Sequence, residues 1–449
     1  MMTVAEAASA TGGRASGAEA RFVGVSSDSR AIGRGELFVA LRGERFDGHE
    51  FLEAAAARGA AAALVDRDYQ GPYPLPVVIV PETKRALGDL ARHWRARVSP
   101  TLIAVTGSNG KTTVKEMLAA ILRRHGGEQA VLATSGNLNN DIGVPLTLLR
   151  IRAAHRWCAI ELGMNHRGEI AYLAGMAAPS IALVNNAQRE HLEFMGSVEE
   201  VAAENASVYD ALPASGSAVI NADDQHAGLF RNHAGARQVV EFALKGAMVS
   251  GRYALSGLQS ELRLRTPHGE AQATLAIPGL HNVRNALAAA ACAHAAGIEP
   301  AAIAAGLSAF RPYSGRLQVK HVHAGLTVID DSYNANPDSV RAAIEVLAAC
   351  AGPTVLVLGD MGEVGPQGPA FHREIGAYAR DRGVTRLLAL GDAAAHAVQA
   401  FGEGGAHFSD VNQLVRAVEG RTVLVKGSRF MKMERVVAAL LGIPVEGAH

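Results

Sequence analysis

Thr106-Gly107-Ser108-Asn109-Gly110-Lys111-Thr112-Thr113 carries the strongest chemical signal in the chain. Glycines permit a tight turn that aims several backbone N–H groups at phosphate oxygens. Lys111 adds a point charge for β- and γ-phosphates, and the Thr112 hydroxyl suits a Mg²⁺ ligand. The first glycine of the usual G-x-x-x-x-G-K-[ST] pattern is missing, because Val105 stands there. The bland alternative is a glycine turn between strand and helix. Gly-Lys-Thr-Thr in that context favours phosphate.

Glu161 closes the apolar run Ala159-Ile160. A carboxylate at a strand's carboxyl end beside a phosphate loop is well placed to hold magnesium, although a solvent-facing strand end explains it too. His191 also follows an apolar strand, and alone it reads more readily as structural than as a ligand. The run Ile329-Asp330-Asp331-Ser332-Tyr333-Asn334-Ala335-Asn336-Pro337-Asp338-Ser339 offers directional donors and acceptors. Asp331 could accept from a ribose hydroxyl or an amine. An asparagine-rich turn with a helix cap accounts for one or two of these residues, less easily for six polar groups in a row.

Strands and helices must position these groups. Leu102–Val105 is a buried-type strand and Lys111–Arg124 a helical pattern. Trp157–Ile160, Ile181–Val184 and Ala218–Ile220 alternate with helical Val198–Leu212 and Asn282–Ala296, which predicts a mostly parallel sheet with helices on its faces. Before them, Arg21–Val25, Leu37–Leu41, Ala61–Val65 and Val77–Val80 form a small α/β unit. After Phe310-Arg311-Pro312, the strands Thr327–Ile329, Thr354–Leu358, Arg386–Leu390 and Thr422–Val425 predict a second doubly wound unit of Rossmann type. The expected fold class is α/β in three domains: 1–98, 99–310 and 311–449.

Composition narrows the function. In 449 residues, 43 Lys+Arg balance 43 Asp+Glu, which argues against a nucleic-acid partner. Hydrophobic residues at 49% exclude a mainly disordered chain. Cys158, Cys292 and Cys350 lie far apart, which excludes a disulfide scaffold and fits a reducing compartment. The apolar stretches Ala54–Val65 and Ala286–Ile298 are shorter than ~18 residues, so no membrane span is expected. The N-terminus lacks the pattern of a signal peptide, and a cytoplasmic location is expected.

Phosphate loops occur in kinases, motors, GTPases and ligases, and the combination of motifs chooses among them. The chain resembles the Mur ligase superfamily, and within it the MurF type, over nearly its whole length. Ser26–Arg30, Leu37–Gly43 and Phe46–His49 resemble the family's UDP-binding N-terminal domain. Thr134–Pro145 resembles its central substrate loop, and Pro278–Asn285 the segment near adenine. Gly315-Arg316-Leu317 resembles the linker arginine that reaches the phosphates. Asp330–Ser339, Val357–Glu363 and Lys426–Arg429 fit as well.

The resemblance implies an ATP-dependent amide ligase joining D-Ala-D-Ala to UDP-MurNAc-tripeptide through an acyl phosphate, acting as a monomer on small molecules. Catalytic roles would fall to Lys111, Glu161, His191 and Arg316. ATP would meet Gly107, Ser108, Asn109, Gly110, Lys111, Thr112, Thr113, His281, Asn282, Asn285, Arg316 and Asp331. The UDP-substrate would meet Ser27, Asp28, Ser29, Arg30, Arg42, Asn137 and Asn140, and the dipeptide Asn334 and Asn336. Thr112, Glu161 and His191 would hold Mg²⁺. One position departs from the family: Asn205 stands where many members carry a carbamylated lysine, and no lysine lies between Lys115 and Lys245. A second metal would then rely on His191, substrate oxygens and water, helped by Glu204 or the Asn205 carbonyl oxygen, unless Asn205 merely faces solvent. Alternatives are another Mur ligase, a folylpolyglutamate synthase, or a nucleotide switch that makes no bond.

Overall fold

The computed structural model describes residues 1–44, 46–322 and 325–443. Buried apolar runs become parallel strands throughout, because a strand covered on both faces needs no polar alternation. Near the N-terminus, five strands lie in the order Arg14–Ser16, Val77–Val80, Ala62–Asp66, Leu37–Val39 and Val25–Ser26. All pair in parallel except the first.

The central sheet has six strands, all parallel. Thr101–Thr106 lies between Trp157–Glu161 and Ile181–Val184. Val131–Ala133 extends one side, and Ser217–Asn221 with Gln238–Phe242 extends the other. Winding thus proceeds to both sides of Thr101–Thr106, and α/β sheets bind ligands at the carboxyl ends of strands at such a switch point. A third sheet, also six-stranded, contains Gln318–His321, Thr327–Asp331, Thr422–Lys426, Thr354–Gly359, Arg386–Leu390 and Gly405–Phe408. Only Gln318–His321 runs antiparallel there.

The structure adds an antiparallel sheet, Ser250–Ser256, Gln259–Thr266 and Gly269–Leu275, that the reading of apolar runs does not anticipate. It also corrects the helix expected over Val198–Leu212. The α-helix ends at Ala206, and a 3₁₀ turn covers Ser207–Ala211.

Helix Thr83–Arg95 packs against helices Gly143–Leu148 and Glu169–Ala177, joining the first sheet's unit to the central one. Arg95 donates to the carbonyls of Ala177 and Ala178, and Trp94 to that of Ile151. No helix among the described residues is long and apolar enough to cross a membrane.

Candidate active site

The loop after strand Thr101–Thr106 turns on glycine. Gly107 has φ +124°, and a Cβ there would stand 2.9 Å from the backbone nitrogens of Asn185 and Asn186. Gly110 has φ +82°, and a Cβ would run into Asn285 Oδ1. Helix Lys111–Gly126 starts directly afterwards with no side-chain cap on its first N–H groups. Uncapped amides and the positive end of the helix dipole form an anion cradle.

Lys111 Nζ curls back over this loop. It donates to the carbonyls of Gly107 (2.6 Å) and Ser108 (3.0 Å) and pairs with Glu190 at 3.1 Å. Thr112 Oγ1 donates to Glu161 Oε1 at 3.2 Å, and Asn139 Nδ2 to the same oxygen at 2.8 Å. Glu161 Oε2 is buried with no partner. A bare carboxylate oxygen beside a hydroxyl and an anion cradle fits a divalent cation shared with phosphate oxygens. Among the described residues, no three or more His, Cys, Asp or Glu side chains form a metal cluster, so most ligands to such an ion would be substrate oxygens or water.

His191 adopts a left-handed backbone, φ +52° and ψ +31°, a conformation costly outside glycine and frequent at functional sites. Its Nε2 lies 3.6 Å from Glu190, and its Nδ1 lies 2.6 Å from Glu363 of the third sheet's unit. The imidazole beside it holds Glu363 below the usual carboxylate range.

Two cavities meet at the loop. The larger, about 690 Å³, is lined by Ser108, Asn109, Gly110, Lys111, Thr112, Asn137, Asn140, Glu161, His191, Arg316, Asn334 and Asn336, among others. The smaller, about 310 Å³, is lined by Thr113, His281, Asn282, Asn285 and Asp331, and it shares Asn109, Gly110 and Arg316. Arg316 lies over the Tyr333 ring, 4.2 Å from its centroid.

Amides organise the smaller cavity. Asn185 donates to Asn285, and Asn285 to Asn282. Asn282 Nδ2 contacts Pro278 O at 2.7 Å and His281 Nε2 at 3.1 Å. With Asn282 as donor, His281 Nε2 must accept, which assigns the neutral Nδ1–H tautomer. Burial, then Lys426 and Arg284, pushes that imidazole down to about 4. Asp331 is buried against Lys426, with Nζ 2.6 Å from Oδ2. Burial raises the carboxyl and lowers the ammonium, while their mutual attraction opposes both shifts.

Several expected residues stand elsewhere or have structural duties. Ser27, Asp28, Ser29, Arg30 and Arg42 line neither cavity. Arg30 pairs with Asp28, and Arg42 with Asp47 and Asp66. Asn140 Oδ1 accepts from the backbone of Ile142 and Gly143. Asn336 caps helix Pro337–Ala348 and also bonds Asn109 of the phosphate loop at 2.9 Å. Asn205 does not face solvent: it is 1% exposed, and its Oδ1 accepts from Thr106 at 2.7 Å. Glu204 is engaged as well, accepting from the amides of Gly168 and Ile170.

Glu190 and Lys426 carry no assignment in the motif reading, yet both line the larger cavity. Lys426 ends the apolar strand Thr422–Lys426, the same signal that singles out Glu161.

Three family models match the chain: Mur ligase family, catalytic domain, over residues 21–95; Mur ligase middle domain, over 105–293; and Mur ligase, glutamate ligase domain, over 315–429. The UDP-N-acetylmuramoyl-tripeptide–D-alanyl-D-alanine ligase of Escherichia coli (strain K12) is 40% identical over 449 residues, with 98% of each chain covered. The protein of the same name from Bacillus subtilis (strain 168) is 35% identical, with 94% of each chain covered. A crystal structure of MurF from Acinetobacter baumannii superposes with TM-score 0.90 at 33% identity, covering 98% of both chains. A shared loop, shared sheets and identity across the whole length converge: the chain belongs to the Mur ligase family, as a member of its MurF type.

Proposed function

We propose that this chain joins D-alanyl-D-alanine to UDP-N-acetylmuramoyl-tripeptide at the expense of ATP, in peptidoglycan precursor synthesis. The full-length likeness to ligases of that name supports the substrates. The observation that carries the reading is the junction of the two cavities at Asn109, Gly110 and Arg316, next to Lys111. The nucleotide-sized pocket opens there into a larger space lined from all three units, by Lys84, by Glu161 and His191, and by Asn334 and Asn336.

A carboxylate is a poor acyl donor in water, so it must be activated. The tripeptide's terminal carboxylate oxygen attacks the γ-phosphorus, and ADP leaves. The dipeptide amine then attacks the acyl carbon of that acyl phosphate, a proton leaves the nitrogen, and phosphate departs. The amides of Gly110 to Thr113 cradle the phosphates, and Lys111 exchanges Glu190 for phosphate oxygens. Such catalysis is mostly placement and charge neutralisation. Thr112 and Glu161, with His191 nearby, would hold Mg²⁺. That ion would draw charge from the transferring phosphoryl group. His281, Asn282, Asn285 and Asp331 take the nucleoside, and Arg316 reaches the phosphates from the linker. Asn334 and Asn336 face the dipeptide. Asn137 and Asn140 meet the UDP-substrate in the larger cavity, and Ser27, Asp28, Ser29, Arg30 and Arg42 hold its uridine end.

This reading divides the chain into residues 1–98 for the UDP-substrate, 99–310 for ATP and 311–449 for the amine. It sets the enzyme in the cytoplasm, in keeping with ATP use and unpaired cysteines, and takes it to act as a monomer. A substrate matrix tests it. ADP release should require both the UDP-tripeptide and the dipeptide; slow release indifferent to both would point to a nucleotide switch.

A further inference from the structure

Gln188-Arg189-Glu190-His191 forms a crossing point between two units. On one side, Gln188 contacts the phosphate loop: its N–H donates to Ser108 Oγ at 2.9 Å, and its Oε1 accepts from Asn109 Nδ2 at 2.7 Å. On the other side, Arg189 reaches two separate helices of the C-terminal unit. Its Nη2 lies 2.7 Å from Asp338 Oδ1, and its Nη1 lies 2.7 Å from Glu374 Oε2. Its backbone N–H also donates to Asp338, at 2.9 Å. Arg341 closes the group by pairing with Glu374 at 3.1 Å, so two cations meet two carboxylates. The guanidinium lies over the Phe371 ring, 5.2 Å from its centroid.

We propose that Arg189 is the clasp that holds the C-terminal unit closed over the phosphate loop, as a positioning residue for ligation. Asp338 sits in the first turn of the helix capped by Asn336, and Asn336 bonds Asn109. Fixing Asp338 therefore fixes the segment that carries Asn334 and Asn336 against the loop of Lys111. A planar fork holds two carboxylates with paired N–H donors at fixed angles, a bidentate geometry that a lysine ammonium cannot reproduce. The side chains of Arg189, Asp338 and Glu374 are 23%, 23% and 33% exposed, so water can enter when the units part. A contact of that kind suits closure that must reverse each turnover.

The experiment compares wild type with Arg189→Ala, Arg189→Lys and Glu374→Gln. Small-angle X-ray scattering reads closure in the nucleotide-free protein, and steady-state kinetics read ligation. In Arg189→Ala the radius of gyration should rise and kcat should fall about tenfold, because less of the protein is closed at any moment. The affinity for the UDP-tripeptide alone, measured by calorimetry, should stay at the wild-type value. Arg189→Lys should recover only part of both losses. Glu374→Gln, altered on the partner helix, should show the same direction with a smaller loss. Wild-type scattering and kcat in both Arg189→Ala and Glu374→Gln would overturn the clasp, even if thermal stability dropped. The kinetic arm rests on the ligase reading. A wild type that makes no amide would overturn that reading, and scattering would then decide the clasp alone.

Discussion

Thr106 Oγ1 donates a 2.7 Å hydrogen bond to Asn205 Oδ1 where the central strand gives way to the loop of Lys111. Asn205 Nδ2 in turn donates to the Val201 carbonyl at 2.9 Å. The Asn205 amide thus braces the strand end, and it cannot react with CO₂. Ligation should proceed at the same rate with and without bicarbonate, and intact-mass spectra should show no added CO₂. Asn205→Ala should lower stability by about 1–3 kcal/mol, because the buried Thr106 hydroxyl loses its acceptor. Urea unfolding measures that loss. A bicarbonate-dependent rate would contradict the assignment.

Lys111→Ala should leave the fold intact and lower kcat by about 10²–10³-fold, the usual scale for one fixed charge at a developing anion. Glu190→Gln should cost less, since Glu190 only holds the ammonium before phosphate takes it. The two effects should not add in the double variant, because Glu190 acts through Lys111. Stopped-flow or quench measurements of ADP formation check both. Near-wild-type turnover of Lys111→Ala at saturating ATP would remove the phosphate-loop assignment.

Arg316 borders both cavities and lies against Tyr333 on the C-terminal unit. Its phosphate contacts should strengthen towards the transition state. Arg316→Ala should therefore lower kcat more than it raises KM for the UDP-substrate. A change confined to that KM would reassign the residue to substrate binding.

His281 gives a pH signature. Its ordinary value is 6.5, and the folded protein holds it at about 4. Above the ordinary value both folded and unfolded chains keep it neutral. Across the window from 6.5 down to about 4, the unfolded chain binds a proton that the folded one refuses, so stability falls as pH falls. Below that window His281 costs nothing further. His281→Gln should flatten this part of the acid limb in urea midpoints. An identical acid limb in the variant would assign the loss to other groups.

Much of this architecture is legible in the sequence because parallel strands buried on both faces read as continuous apolar runs. Leu102–Val105, Thr354–Leu358 and Thr422–Val425 all lie within strands of the structure. The antiparallel sheet over 250–275 is harder to see, since one face is solvated. Its signal is alternation: Leu262 and Leu264 are buried while Arg263 and Arg265 are exposed. The phosphate loop is legible because its chemistry is local. Lys111 with Glu190, Asp331 with Lys426 and Arg189 with Glu374 are not, because 79, 95 and 185 residues separate the partners. The sequence shows an asparagine at 205 and no lysine near it, but not that Asn205 is buried. Only packing shows that the last turn of its helix faces the strand and not water.

Oxygen transfer tests the central claim most directly. The UDP-tripeptide is prepared with ¹⁸O in its terminal carboxylate, and the phosphate released during ligation is weighed by mass spectrometry. An acyl-phosphate route predicts one labelled oxygen in each phosphate, the other remaining in the new amide. Phosphate whose new oxygen comes from water, with the label displaced from the carboxylate lost to water, would contradict the account.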